Sequence, residues 1–585
     1  MSENSSLAPS GPISEPELIV IAAPDAGLRA SGVSVASVAA MDVGGLNSLI
    51  ASESVRMTPL FGSSEDRVRV AAMAPGGDAA SDLSVYYRIE APPERHADIV
   101  EQLLRHDAIV AAFVKPPSEP AQINDMAPSP QAAPPVTPDF VTRQFYLDPA
   151  PGGIDARHSW TRPGGTGATI RVIDIEGAWR FSHEDLTQSQ GGVVGGTQSA
   201  DIGWRNHGTA VIGVIGGDPN GRGVTGIAPD ANQRAISIFG SGQGSARAIR
   251  DAADRLSAGD IILIELHRPG PRFNFSGRQD QRGYIAVEWW PDDWAAIRYA
   301  TSRGVIVVEA AGNGAEDLDD PIYSNPGPGF PPGWTNPFNR ANPDAGAIIV
   351  GAGAPPTGNY GPDRSRLDFS NYGQCVDVQG IGREITTCGY GDLQGGASED
   401  EWYTATFSGT SSSSPIVVGS IACVQGVLQA GARPRLTPAL VRQHLRNTGS
   451  PQQAAPGRPV AQRIGSRPDL RQLISTVMGG AMTSQVGVHK IRPVIYSGTA
   501  GGPGEYKSSD DPNNGAMYVI PANLPNPAGR VLEAWYTPYH NIGALQYFAL
   551  IEVERHDDAH VRLTVGSYPG MNQRVRLTLN ILYES

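Results

Sequence analysis

The chain has 585 residues, a formal net charge of −14 at pH 7 and an apolar share of 40%. That length exceeds one average domain and implies two to four; the acidic balance excludes the basic patch or stripe that a nucleic-acid partner requires. Three cysteines, Cys375, Cys388 and Cys423, show no CxxC spacing, which favours reduced thiols over a disulfide framework, with a Cys375–Cys388 bridge as the alternative.

Residues 1–16 read as a disordered tail that carries acids and no basic segment, and Leu18-Ile19-Val20-Ile21 is too short for a signal core. The expectation is a cytoplasmic protein, with non-classical export left open. No apolar run approaches the roughly 20 residues of a membrane span. Residues 17–115 alternate strand and helix patterns: strands over Leu18–Ala22, Met57–Phe61, Ser84–Ile89 and Ala108–Val114, and helices over Met41–Ser54 and Pro93–His106. The order βαββαβ is that of a ferredoxin-like α+β unit. Residues 116–138, rich in proline, alanine and serine, read as an extended, exposed linker.

The region 139–478 carries the chemistry. Ile170-Arg171-Val172-Ile173-Asp174-Ile175-Glu176 is a strand ending in acids, and Asn206-His207-Gly208-Thr209 opens an apolar helix with a histidine. Val305–Ala311 is a buried β-branched strand running into Gly312-Asn313-Gly314. Phe407-Ser408-Gly409-Thr410-Ser411 precedes Ser412-Ser413-Ser414-Pro415 and an apolar helix. Small neighbours leave the Ser411 hydroxyl uncrowded, proline in a first turn loses no hydrogen bond, and a helix N-terminus favours negative charge beside it, so Ser411 reads as a nucleophile. After Gly479-Gly480-Ala481 the composition shifts. Residues 485–585 alternate apolar and polar positions between turn signals, as in an all-β sandwich-like domain.

Over residues 139–478 the chain resembles the subtilisin-like serine proteases, peptidase family S8, whose order is acid, histidine, oxyanion asparagine, serine. Gly223-Val224-Thr225-Gly226 and Phe369-Ser370-Asn371-Tyr372-Gly373 extend the resemblance. It implies an α/β parallel sheet flanked by helices and a serine endopeptidase acting on protein or peptide substrates. His207 would be the base and Asn313 the oxyanion donor. Residues 17–115 would be an inhibitory propeptide, cut from the enzyme somewhere in the linker. No cofactor is implied, although many members bind structural calcium; Glu316-Asp317-Leu318-Asp319-Asp320 has the charge for it but reads better as a solvated turn.

Two departures stand out. Counting back seven residues from His183-Glu184-Asp185-Leu186 reaches Glu176, whereas Asp174 needs a two-residue insertion; both point to one side of the strand, and Glu176 is favoured as the acid. The strand that carries substrate in the family reads Ile264-Glu265-Leu266-His267 in place of Ser-Leu-Gly. Backbone pairing with a peptide survives this change, but Glu265 and His267 add charge and bulk, so restricted specificity is expected, for instance for a basic side chain near Glu265. Trp289-Trp290-Pro291-Asp292-Asp293-Trp294 reads as core closure more than a substrate loop. The rival expectation is a non-catalytic subtilisin-fold binding protein.

Overall fold

The computed structural model describes residues 14–62, 65, 82–121, 134 and 136–479, and beyond them the strands between 486 and 584. It comprises two units, Met1–Ile474 and Ser475–Ser585.

The first unit begins with β1 (Glu17–Ala22), α1 (Gly44–Glu53), β2 (Arg56–Pro59), β3 (Tyr86–Glu90), α2 (His96–Leu103) and β4 (Ile109–Lys115). The sheet order β2-β3-β1-β4, antiparallel throughout, is the ferredoxin-like one. Alternation along β1 sorts its two faces. Leu18 and Val20 pack with Leu46, Leu49, Ile99 and Leu103 of the two helices. Ile19 and Ile21 belong instead to the large buried cluster of the following region, with Phe113, Ile249 and Trp290.

The chain then makes a two-residue strand, β5 (Glu119–Pro120), before β6 (Arg171–Glu176), β7 (Gln190–Gly195), α3 (Ile202–Gly216), β8 (Asn232–Ser237) and α4 (Ser245–Arg255). Next come β9 (Ile261–Ile264), β10 (Leu266–Pro269), β11 (Tyr284–Ala286), α5 (Pro291–Ser302), β12 (Ile306–Ala310), β13 (Ile348–Gly353), β14 (Val376–Ile381) and α6 (Thr410–Ala430). Seven of these strands form a parallel sheet in the order β14-β13-β12-β9-β6-β8-β7. Central strands such as Ile261–Ile264 are apolar without alternation because helices cover both faces.

Helix α6 starts five residues before Pro415, which therefore lies inside it and not in its first turn. It is long and apolar enough to cross a membrane, but it is wholly buried in this unit, as a core helix is. Trp289 and Trp290 are fully buried, and Trp289 packs on Phe275, Phe330 and Trp334, so the tryptophan run closes the core. All three cysteines are free and buried.

The second unit takes in the end of the helix Leu470–Gly479, and its described residues beyond that are β-strands. Val486–Ile491, Thr578–Glu584 and Arg530–Thr537 form one three-stranded sheet, Ala516–Pro521, His560–Ser567 and Phe548–Arg555 a second, and Glu505–Tyr506, Val494–Tyr496 and Arg574–Arg576 a third.

Candidate active site

The residues singled out from the sequence converge at the C-terminal ends of β6, β9 and β12, where ligands of parallel sheets collect. His207 lies in α3 and faces the end of β6. Gly208 lets the helix approach so closely: a Cβ there would sit 2.3 Å from the Ala178 carbonyl and 2.7 Å from the Trp179 indole nitrogen. His207 Nδ1 is 2.7 Å from Glu176 Oε2, both side chains being fully buried. Glu176, not Asp174, is thus the acid paired with the imidazole. Asp174 Oδ2 accepts instead from Trp179 Nε1 at 2.7 Å.

A third acid closes on the same place. Glu265 is fully buried, and its Oε1 accepts from Ser414 Oγ at 2.5 Å. It is enclosed against the first turns of α6, so it presents no exposed carboxylate beside β10 to a basic side chain. Asp174 Oδ1, Glu176 Oε1 and Glu265 Oε2 accept from no N–H or hydroxyl donor. Burial pushes Asp174 well up, and the charge of Glu176 and the hydrogen bond to it add to this. Burial also raises Glu176, with the Asp174 hydrogen bond opposing and Glu265 adding. Glu265 is raised by burial and then by Asp174; the hydrogen bond from the Ser414 hydroxyl opposes. Adjacent buried carboxyls cannot all ionise, so a proton held by Asp174 and donated to Glu176 leaves Glu176 as the charged partner of His207. Burial lowers His207 to about 3, against the pull of Asp174, so the ring is neutral. With Nδ1–H donated to Glu176, its Nε2 is left as an unpaired acceptor.

Ser411 is the second residue of α6, after Gly409, whose φ of 105 lies where glycine alone is unstrained. Its Oγ makes no hydrogen bond here. Its backbone N–H, one of those a helix leaves unsatisfied in its first turn, donates to the Ala121 carbonyl at 3.1 Å. Asn313 is aimed by Thr410, whose N–H and Oγ1 both donate to Asn313 Oδ1 at 3.0 Å. The amide NH₂ therefore faces the other way, and one of its hydrogens goes to Gln281 Oε1 at 3.2 Å. Asn371 steadies that turn through Nδ2, which donates to the Tyr284 and Ala311 carbonyls at 2.7 Å.

Residues 116–121 after β4 are extended, as their composition implies, but buried or half-buried, whereas Pro134, Val136 and Pro138 farther along are exposed as expected. Lys115, Ser118 and Ala121 are buried, and β5 pairs antiparallel with β10, Pro120 against Leu266 and Glu119 against His267. Tyr284 donates to Glu119 Oε1 at 2.9 Å, and Gln281 Nε2 reaches the Pro120 carbonyl at 3.4 Å. Residues 122–133 and 135 lie outside the described residues. Gln281 and Tyr284 were not legible in the sequence, because neither the loop that holds Gln281 nor the three-residue strand that Tyr284 opens carries a motif. The φ of 52 at Gln281, unusual for a residue with a side chain, marks the spot only in three dimensions.

The acidic turn at Glu316–Asp320 is engaged by protein donors. Arg272 pairs with Glu316 at 3.0 Å and with Asp320 at 2.5 Å, and Gln374 N–H donates to Asp319 at 2.9 Å. Among the described residues no group of three or more His, Cys, Asp or Glu is arranged to hold a metal ion.

A model of the subtilase family matches residues 152–465, more than half of the chain. The chain is similar to a protein named Extracellular protease from Xanthomonas campestris pv. campestris, 27% identical over 349 residues covering 54% of this chain and 53% of that one. Subtilisin Savinase from Lederbergia lenta is 27% identical over 290 residues, covering 49% of this chain and 84% of its own. A protein named Intracellular serine protease from Paenibacillus polymyxa is 26% identical over 323 residues, covering 53% and 83%. The chain thus spans about half the length of the first of these relatives. The cytoplasmic location expected from the N-terminal residues is overturned by the match to a protein named as extracellular. That expectation rested on the lack of a leader pattern in the first residues, and where a sequence begins carries no such information.

Proposed function

Because the chain belongs to the subtilase family, we propose that it is a serine endopeptidase made as a zymogen whose own segment 116–121 fills the substrate cleft. The observation that carries this reading is the Ala121 carbonyl, held on the Ser411 N–H at 3.1 Å at the end of a strand paired to β10. On this reading the bond to be cut lies between Ala121 and Gln122, within the linker. Residues 17–115 then act as the inhibitor and 139–478 as the enzyme, with the β unit of 485–585 appended.

In this mechanism His207 Nε2 takes the Ser411 hydroxyl proton as Oγ attacks the carbonyl carbon, with Glu176 fixing the tautomer and stabilising the imidazolium. The oxygen, now an anion, is held by the Ser411 N–H and by the second hydrogen of Asn313 Nδ2. His207 returns the proton to the leaving amine of residue 122, and water repeats the sequence to free the acyl group. Protein groups and water suffice, and a structural calcium ion would take no part in these steps. Restricted specificity follows from the close fit around the bound strand, where Tyr284 meets the side chain at 119 and His267 pairs beside it.

Fluorophosphonate labelling of the processed protein tests the reading. The wild type should label at Ser411 and begin at Gln122 by mass spectrometry, and Ser411→Ala should neither label nor self-process. A processed wild-type protein that resists the reagent would defeat it.

A further inference from the structure

One buried charge cluster lies away from the reacting groups. Lys115, at the end of β4, has no solvent exposure. Its ammonium contacts Asp292 closely, Asp293 Oδ2 at 3.2 Å, Ser245 Oγ at 3.2 Å and Glu17 Oε2 at 3.3 Å. Asp292 and Asp293 stand in the first turn of α5, and Ser245 starts α4 and donates to Asp293 Oδ1 at 2.5 Å. Arg268 of β10 donates to the Pro116 carbonyl and to Ser245 Oγ at 2.8 Å.

These groups belong to two different partners. Glu17 and Lys115 are in the N-terminal domain; Ser245, Arg268, Asp292 and Asp293 are in the region that carries Ser411. If the domain leaves after cleavage at Ala121, two carboxylates remain against one guanidinium. Arg268 Nε lies 3.8 Å from Asp293, so it can serve that acid, whereas Asp292 is stripped of its cation. Asp292 Oδ1 already lacks any hydrogen-bond partner with Lys115 in place. Two carboxylates and a hydroxyl around one point match the three hydrogens of an ammonium better than the flat fork of a guanidinium.

The cluster is also in line with the cleft. Between it and the Ser411 N–H run Pro116 to Ala121, with Arg268 on the Pro116 carbonyl and β10 on Glu119 and Pro120. We infer that Asp292, Asp293 and Ser245 form a lysine-binding site that selects polypeptide substrates carrying lysine at the seventh residue before the bond to be cut, Lys115 being its occupant in the precursor. This rests on the endopeptidase reading, because the register is counted from Ala121.

The test compares two peptides, one matching residues 115–124 and one with Gln in place of its first Lys. Processed wild-type protein should cut the lysine peptide with kcat/KM at least about tenfold higher, mainly through KM, the effect of one charge-assisted contact. That ratio should fall to near one in the Asp292→Asn, Asp293→Asn double variant. Equal kcat/KM for the two peptides in the wild type would overturn the inference while leaving the protease reading intact. Should neither peptide be cut, the protease reading fails instead, and the site is tested by titrating both labelled peptides onto the processed protein once its N-terminal domain has been removed. Tighter binding of the lysine peptide supports it, and equal binding refutes it.

Discussion

Three buried carboxyl groups, of which Glu176 alone bonds the imidazole, give the site its character. Asp174 and Glu176, two residues apart on β6, share a face, and the structure separates their partners: Glu176 takes the imidazole and Asp174 the indole of Trp179. Glu176→Gln should therefore reverse the donor and acceptor facing Nδ1, favour the wrong tautomer and lower kcat by roughly 10³–10⁴, as loss of the orienting acid does in other triads. Asp174→Asn keeps the Trp179 contact and should cost about tenfold or less in kcat, since it acts through Glu176. Single-turnover and steady-state rates of the two variants would show the order, and a larger loss at Asp174 would move the orienting role there. The pair was legible because strand periodicity places both acids on one side, and spacing to His183 then favoured Glu176. Glu265 was legible as a charge on the substrate strand but not as a partner of Ser414, because that contact joins residues 149 apart in sequence.

At the scale of elements, the four motifs lie on the strands and helices their patterns implied, with the main shift at α6. Its start at Thr410 was not legible because proline is usually read as an opening residue, whereas here Pro415 sits where its missing N–H leaves the Ser411 carbonyl without a helical partner. The first six residues of the linker, 116–121, depart from the exposed chain expected for a physical reason too. Prolines and small residues describe an extended chain equally well in solvent or laid in a cleft, and only the pairing of β5 with β10 distinguishes the two. The contact of α3 with the loop after β6 is more constrained. Gly208→Ala would drive a methyl group to 2.3 Å from the Ala178 carbonyl, an overlap that backbone must relieve at about 1–3 kcal/mol. A lower Tm together with a fall in kcat, as His207 is pushed from Glu176, is the expected result; an unchanged kcat would show that α3 need not sit so close.

If the N-terminal domain is an inhibitor, the charges around Lys115 join the apolar cluster of Ile19, Ile21 and Phe113 in holding it, and their ionisation makes retention of the cleaved domain depend on pH. Burial raises Asp292 to about 6, with Lys115 opposing and Asp293 and Glu17 adding. Burial alone would raise Glu17, but Lys115, Arg88 and Arg268 overcome it and hold it at about 2. Burial would lower Lys115, yet Asp292, Asp293 and Glu17 raise it, so it stays charged in either state below about pH 10. Once uncovered, both acids return toward about 4. The docked state thus holds the Asp292 proton more tightly than the released state, and retention strengthens as pH falls from 7 toward 4. Glu17 runs the opposite way: its depressed docked value adds stability above about pH 4, which is lost as pH falls toward 2. Retention should therefore be greatest near pH 4–5, weaken toward pH 8 and collapse below pH 3. The fraction of cleaved N-terminal domain that co-elutes with fluorophosphonate-blocked enzyme on size exclusion measures this directly. Asp292→Asn should flatten the neutral limb alone, because an amide has no proton to gain, and Glu17→Gln should flatten the acid limb alone. A retention that stays level from pH 4 to 8 would mean that contacts such as Phe113 against Phe330, and not the charges around Lys115, govern the hold of the N-terminal domain on the enzyme.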